Sequence, residues 1–232
     1  MSRALQSESI PPSDPLIATS CLDFLLIELV PLAQRITDKI HARDKILKEE
    51  LDRSLNIHRS VPPPSTTNEV ATKGGVSSTG APSTAAGLDD GTREALYFRL
   101  NNMGYRVGQG LAERFSTNRP RPVTPLETIK FICKDLWPLL FRKQIDNLKT
   151  NHRGIFVLTD VRFQPLSRVS VDRRAGPRAA EELVRRAQVY LVFPAGVIRG
   201  ALSALGIEAT VQGETTEIPT ATFQIKTKGA KA

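Results

Sequence analysis

The sequence predicts an α+β fold: helices layered against a four-stranded antiparallel sheet, within a single domain. Three observations carry that expectation. Apolar residues recur at helical spacing through the first half of the chain, with no run of strand-like alternation. The most apolar helical stretch then passes straight into residues that alternate with period two. Two further alternating runs close the chain, which sets the order α-α-α-β-β-(α)-α-β-β of a layered α+β protein.

Composition bounds what the fold can do. With 232 residues, 40% of them hydrophobic, the chain can bury a real core. A net charge of +8 suits an acidic partner, whether nucleic acid, a phospholipid surface or an acidic protein face; solubility alone is the competing reading. Nucleic acid is set aside, because the chain carries no recognised binding motif or basic-aromatic stripe. Cys21 and Cys133 both fall in apolar helical patterns and read as buried free thiols of a reducing compartment. Pro11, Pro12 and Asp14 precede the first apolar run and argue against a secretory signal. That run, Leu22 to Leu32, is too short to span a bilayer and carries Asp23 and Glu28, so a soluble intracellular protein is expected.

Residues 1–18 are polar and read as a flexible lead-in. Thr19 or Ser20 can cap a first helix with apolar residues at Leu22, Leu25, Leu26, Leu29, Leu32, Ala33, Ile36 and Ile40. Phe24, Ile27 and Val30 lie off that stripe, so the helix is apolar on two faces and needs cover on two sides, from its own domain or from another subunit. Leu47, Leu51 and Leu55 continue the pattern among charges to residue 58, as an exposed extension. Residues 59–91 are built from Pro, Ser, Thr, Gly and Ala; without enough apolar area to offset ordering entropy, they read as a disordered insert.

The core resumes at residue 92 and runs to 228, with 229–232 as a tail. A second helix, 92–115, has its stripe at Leu96, Leu100, Met103, Val107, Leu111 and Phe115. Gly104, Gly108 and Gly110 each cost this helix about 1 kcal/mol relative to alanine, a cost that close approach of another backbone would offset. The GQG within it lacks a third glycine and a preceding strand, so it is no nucleotide loop. Thr124, Pro125 and Glu127 form a capping box for a third helix, bent by Pro138 and running through Leu148 to a stop at Asn151, His152 and Gly154. Ile155–Phe163 and Leu166–Val171 are then expected as strands joined in a hairpin near Gln164-Pro165. A basic segment follows, with Arg173, Arg174, Arg178, Arg185 and Arg186, whose helix Pro177 can start; it is a candidate contact for an anionic surface, against the plainer reading of a solvated face. Pro194, Ala195, Gly196, Gly200, Ala201 and Ala204 mark a tightly packed helix that Gly206 ends, and Ile207–Gln212 and Thr220–Thr227 are the last strands.

Chemical machinery is not visible. His41, His58 and His152 lack the companions of a zinc site, and no P-loop, nucleophile elbow or carboxylate pair is present, so neither cofactor nor catalytic residue is assigned.

Three stretches, GYRVGQGLAERF, KFICKDLWPLLFRKQIDNLKTNHRGIFVLTD and GVIRGALSALGIEATV, together resemble the small subunits of the transport protein particle (TRAPP), in particular the subunit-six branch. The resemblance covers about residues 15–58 and 92–228. It implies an α+β fold with helices on one side of a twisted four-stranded antiparallel sheet, and heterodimerisation through the first two helices with a related small subunit, inside a larger tethering complex. That complex acts as exchange factor for a Rab GTPase in traffic at the endoplasmic reticulum and Golgi, with other subunits making the main GTPase contacts. This chain is then a non-enzymatic, cytoplasmic subunit, associated peripherally with membranes. The expected partner surface comprises Leu22, Leu25, Leu26, Leu29, Gly104, Val107, Gly108 and Leu111. Some wider relatives carry an acylated cysteine just after the glycine-containing helix; the corresponding STNRPRPVTP lacks cysteine, so acylation is not carried over. A membrane- or ligand-binding module using the basic segment or a cavity among the helices is the alternative.

Overall fold

The computed structural model describes residues 18–59, 90–117, 120, 122, 124–151, 154–169 and 178–228. The elements are α1 (Thr19–Arg59), α2 (Asp90–Ser116), α3 (Pro125–Phe131), a π-helical turn (Ile132–Leu136), α4 (Trp137–Phe141), β1 (Asn147–Asn151), β2 (Ile155–Asp160), α5 (Gln164–Ser167), α6 (Arg178–Tyr190), α7 (Val192–Ala204), β3 (Ala209–Glu214) and β4 (Ala221–Thr227). The strands form one antiparallel sheet in the order β1-β2-β4-β3. The expected fold class holds. Of the insert expected at 59–91, residues 60–89 lie outside the described residues, as do the tail and residues 1–17, while residues 59, 90 and 91 belong to α1 and α2.

Local chemistry sets the path of the core helix. Thr124 accepts from the Glu127 N–H at 3.2 Å while the Glu127 carboxylate accepts from the Thr124 N–H at 3.3 Å, and Pro125 takes the first position. Pro138 has no N–H to give the Lys134 carbonyl. One residue earlier the helix loosens: the Trp137 N–H donates to Ile132, five residues back, and the Cys133 carbonyl instead accepts from Ile145 N–H at 3.4 Å. The bend expected at Pro138 is therefore carried by this π turn. The helix ends at Arg142, in the left-handed region at φ 57°, six residues before Leu148.

The expected hairpin is corrected. The partner of β2 is the preceding stretch Asn147–Asn151, and Gln164–Ser167 is a helical turn. The region after Asp160 turns because the Asp160 carboxylate accepts from the Arg162 N–H at 3.1 Å, which caps the strand end. Gly154, at φ 82°, serves the β1–β2 turn. The two late strands stand close to where they were expected. Gly206 ends α7 in a Schellman motif, with Ile207 N–H donating to Leu202 and Gly206 N–H to Ser203.

One face of the sheet is apolar by alternation. Phe156, Leu158, Val211, Phe223 and Ile225 point into the core, while Lys149, Thr210, Gln212 and Lys226 lie on the exposed side. Against the inner face pack Trp137, Phe141 and Phe163, with Trp137 ring centroids 4.4 Å from Phe141 and 5.3 Å from Phe223. The Trp137 indole N–H donates to the fully buried Asp160 carboxylate at 3.0 Å, and Lys143 closes on the same carboxylate at 2.8 Å. Cys133 lies in this core, and burial pushes its thiol up to about 12 against the small opposing effect of Lys134, so it is no nucleophile at neutral pH. Cys21, expected buried, is exposed on α1.

Candidate partner-binding surface

Two helices, α1 and α2, lie over a second apolar cluster in which Leu29, Val30, Ala33, Leu96 and Leu100 meet Phe193 and Val197 of α7. Only part of the stripe that the 3.6-residue period places on α1 is thus used inside the chain: Leu29 and Ala33 are buried, whereas Leu25, Leu32, Ile36 and Ile40 stay exposed. Leu29 is buried there, and Leu26 packs against both clusters. Leu22 is half-buried, and Leu111 packs against the main core.

Gly104 and Gly108 are corrected most clearly. Close approach of a second backbone was expected from them, and it occurs, but the backbone is α7 of the same chain. A Cβ on Gly104 would collide with the Phe193 carbonyl, and one on Gly108 with the Val197 carbonyl. From the other side, Gly196 and Gly200 admit the Asn101 and Tyr105 carbonyls. Four glycines interlock α2 and α7, so neither Gly104 nor Gly108 can form a partner surface.

Of the eight expected partner residues, Leu25 and Val107 face outward, at 59% and 36% exposure. They are joined by apolar side chains that the periodicity had assigned to the core stripe or left beside it: Phe98 at 70%, Met103 at 41% and Ile36 at 40%. Between α1 and α2, Ile36, Phe98, Met103 and Val107 line a groove of about 650 Å³, together with Arg99, Asn102 and Arg106; Leu25 lies outside it. Arg99 Nε is buried there and has no hydrogen-bond partner among the described residues. The groove therefore combines apolar side chains with the cationic groups of Arg99 and Arg106. Phe98 carried a signal in the sequence, an aromatic residue off the apolar stripe of its helix, but nothing local said that it stays uncovered. Further along α1, Leu47, Leu51 and Leu55 are also exposed.

The basic segment is less free than its composition suggested. Arg185 and Arg186 both pair with Glu182, at 2.6 and 2.9 Å, and the hydrogen bond from Arg186, seconded by Arg185, holds that carboxyl below its ordinary range. Arg173 and Arg174, and the Arg178 side chain, lie outside the described residues.

The family model described as "Transport protein particle (TRAPP) component" matches residues 22–228. Trafficking protein particle complex subunit 6B of Homo sapiens is 46% identical over 127 residues, 55% of this chain and 75% of that protein. Subunit 6A of Homo sapiens is 40% identical over 126 residues, 54% of this chain and 74% of that protein. Among solved structures, a trafficking protein particle complex subunit 3 from Naegleria fowleri, covalently bound to palmitic acid, superposes with a TM-score of 0.48 at 15% identity, covering 60% of this chain and 84% of that one. The chain belongs to the transport protein particle component family, as a small subunit of the subunit-six type.

Proposed function

We propose that this chain is a non-catalytic structural subunit of the TRAPP tethering and guanine nucleotide exchange complex, heterodimerising through its first two helices with a related small subunit. Exchange on a Rab GTPase is then a property of the assembly, which works in endoplasmic reticulum–Golgi and Golgi vesicle traffic. The chain is placed in the cytoplasm, peripherally at those membranes. One observation carries the reading: Leu25, Ile36, Phe98, Met103 and Val107 form an exposed apolar surface on the two helices that family membership makes the expected contact. A large apolar patch left in water is characteristic of an interaction site. Covering a side chain such as Phe98 or Leu25 fully stabilises a complex by roughly 1.5–3 kcal/mol. Arg99 and Arg106 in the groove favour a partner with carboxylates flanking its apolar contact.

Co-expression with a related TRAPP small subunit, followed by affinity capture and light scattering, tests the proposal. A one-to-one heterodimer is expected. The double substitution Phe98→Asp, Met103→Asp should abolish it while leaving the melting temperature of the isolated chain nearly unchanged, because both side chains are exposed. Pairing that survives the double substitution overturns the assignment of this surface.

A further inference from the structure

The groove between α1 and α2 holds two cations and no anion. Arg99 and Arg106 line it beside Ile36, Phe98, Met103 and Val107, and no carboxylate stands among its lining residues. Arg106 is exposed and Arg99 half-buried, and neither guanidinium pairs with a carboxylate among the described residues. The two arginines are seven residues apart, so on α2 they share one face, about 10 Å from each other along the axis. Met103 falls between them, and Val107 follows it by one turn.

Gly110 extends the same face, three residues after Val107 and four after Arg106. Gly104 and Gly108 admit the backbone of α7, but a Cβ on Gly110 would meet nothing within 4 Å. Glycine weakens a helix relative to alanine, and at this position the chain's own packing gains nothing in exchange.

We propose, resting on the heterodimer reading above, that the groove receives an amphipathic helix of the partner subunit. That helix carries two carboxylates about two turns apart for Arg99 and Arg106, and passes close to α2 at Gly110. Helices packed at a shallow angle keep facing residues in step over two turns, as this spacing requires. A two-fold dimer of this chain would set the same arginines against each other, so a second copy is a poor occupant. A concave site between two helices suits an inserted helix better than a planar lipid surface.

Arg99→Lys and Arg106→Lys, made together in the co-expressed heterodimer, keep both charges. A water-soluble carbodiimide then joins lysine amines to adjacent carboxylates. Peptide mass spectrometry should find both lysines linked to one partner segment, at acidic residues roughly seven positions apart. Arg99→Glu with Arg106→Glu should weaken pairing at least about tenfold at low salt, the loss shrinking as salt rises. The same charge change on the exposed sheet face, Lys149→Glu with Lys226→Glu, should leave Kd nearly unchanged. Gly110→Ala should raise the melting temperature of the isolated chain yet weaken pairing severalfold, a combination that a role in folding alone would not give. Absence of cross-links to the partner, equal loss in the sheet-face control, or natural affinity in Gly110→Ala would each overturn the proposal. So would arginine reversal that abolishes flotation with phosphatidylserine vesicles while leaving pairing intact. If Phe98→Asp, Met103→Asp still abolishes pairing, such a result removes the acidic helix and leaves the heterodimer surface standing; pairing that survives that double substitution removes the surface itself.

Discussion

Asp160 shows how one residue can hold several elements together. It ends β2, is fully buried, accepts from the Trp137 indole, pairs with Lys143 and caps the backbone of Arg162. Asp160→Ala would leave the indole N–H and a cationic tip facing an empty site, so a loss of about 3 kcal/mol is expected in urea unfolding. Lys143 also reaches the partly exposed Asp146 at 2.6 Å, and Asp146 accepts from the Val161 N–H at 2.7 Å. The Lys143 bond first, then Val161, holds the Asp146 carboxyl below its ordinary range. A depressed carboxyl stabilises the fold fully above its unfolded pKa and loses that contribution as pH falls through the folded value. The stability difference between the natural chain and Asp146→Asn should therefore be present at neutral pH and vanish in strong acid; thermal melts across that range measure it. A difference that grows on acidification would contradict the assignment.

At the scale of elements, the α2–α7 interlock makes a sharp contrast between glycines in one helix. Gly104→Ala drives a methyl into the Phe193 carbonyl and should cost about 3 kcal/mol, whereas Gly110 has open space around it. Gly110→Ala should instead stabilise by roughly 0.5–1 kcal/mol through helix propensity alone. Denaturant midpoints for the two variants should move in opposite directions. Two helix ends were legible in the sequence because their caps are local: Thr124 with Glu127, and Gly206, act on residues within one turn, whereas the end of the core helix at Arg142 was not. The strand Asn147–Asn151 was not legible. Only Leu148 in it is even half-buried, so an edge strand with solvent on most sides shows no alternation to read. The apolar periodicity simply ran across it from the preceding helix. For the glycines, spacing revealed that a backbone must come close, but carried no information about whose backbone it was.

At the scale of the whole molecule, the apolar pattern on α1 and α2 exceeds what the described residues cover. Leu29 and Leu100 are used internally, while Leu25, Phe98 and Met103, from the same two helices, are left outside. Whether an apolar residue is surplus depends on which neighbours arrive, and that is fixed by the tertiary arrangement; hence the expected surface included the exposed Leu25 and Val107 but missed the exposed Phe98 and Ile36. The co-expression test belongs to this scale, since it asks whether a second chain supplies the missing cover.

The length of α1 adds a constraint of reach. Its 41 residues extend far beyond the point where Pro31 and Gln34 meet Arg93 and Leu96 of α2. At 1.5 Å per residue, Arg59 stands roughly 40 Å from that crossing. The connection from Arg59 back to Asp90 must close this gap, which takes a minimum of about 12 fully extended residues. Rod and connection are therefore coupled in length. A version of this protein with a connection of only a few residues must also have a first helix that stops near the crossing, and shortening the connection below that minimum without shortening the helix would unwind the far end of the rod.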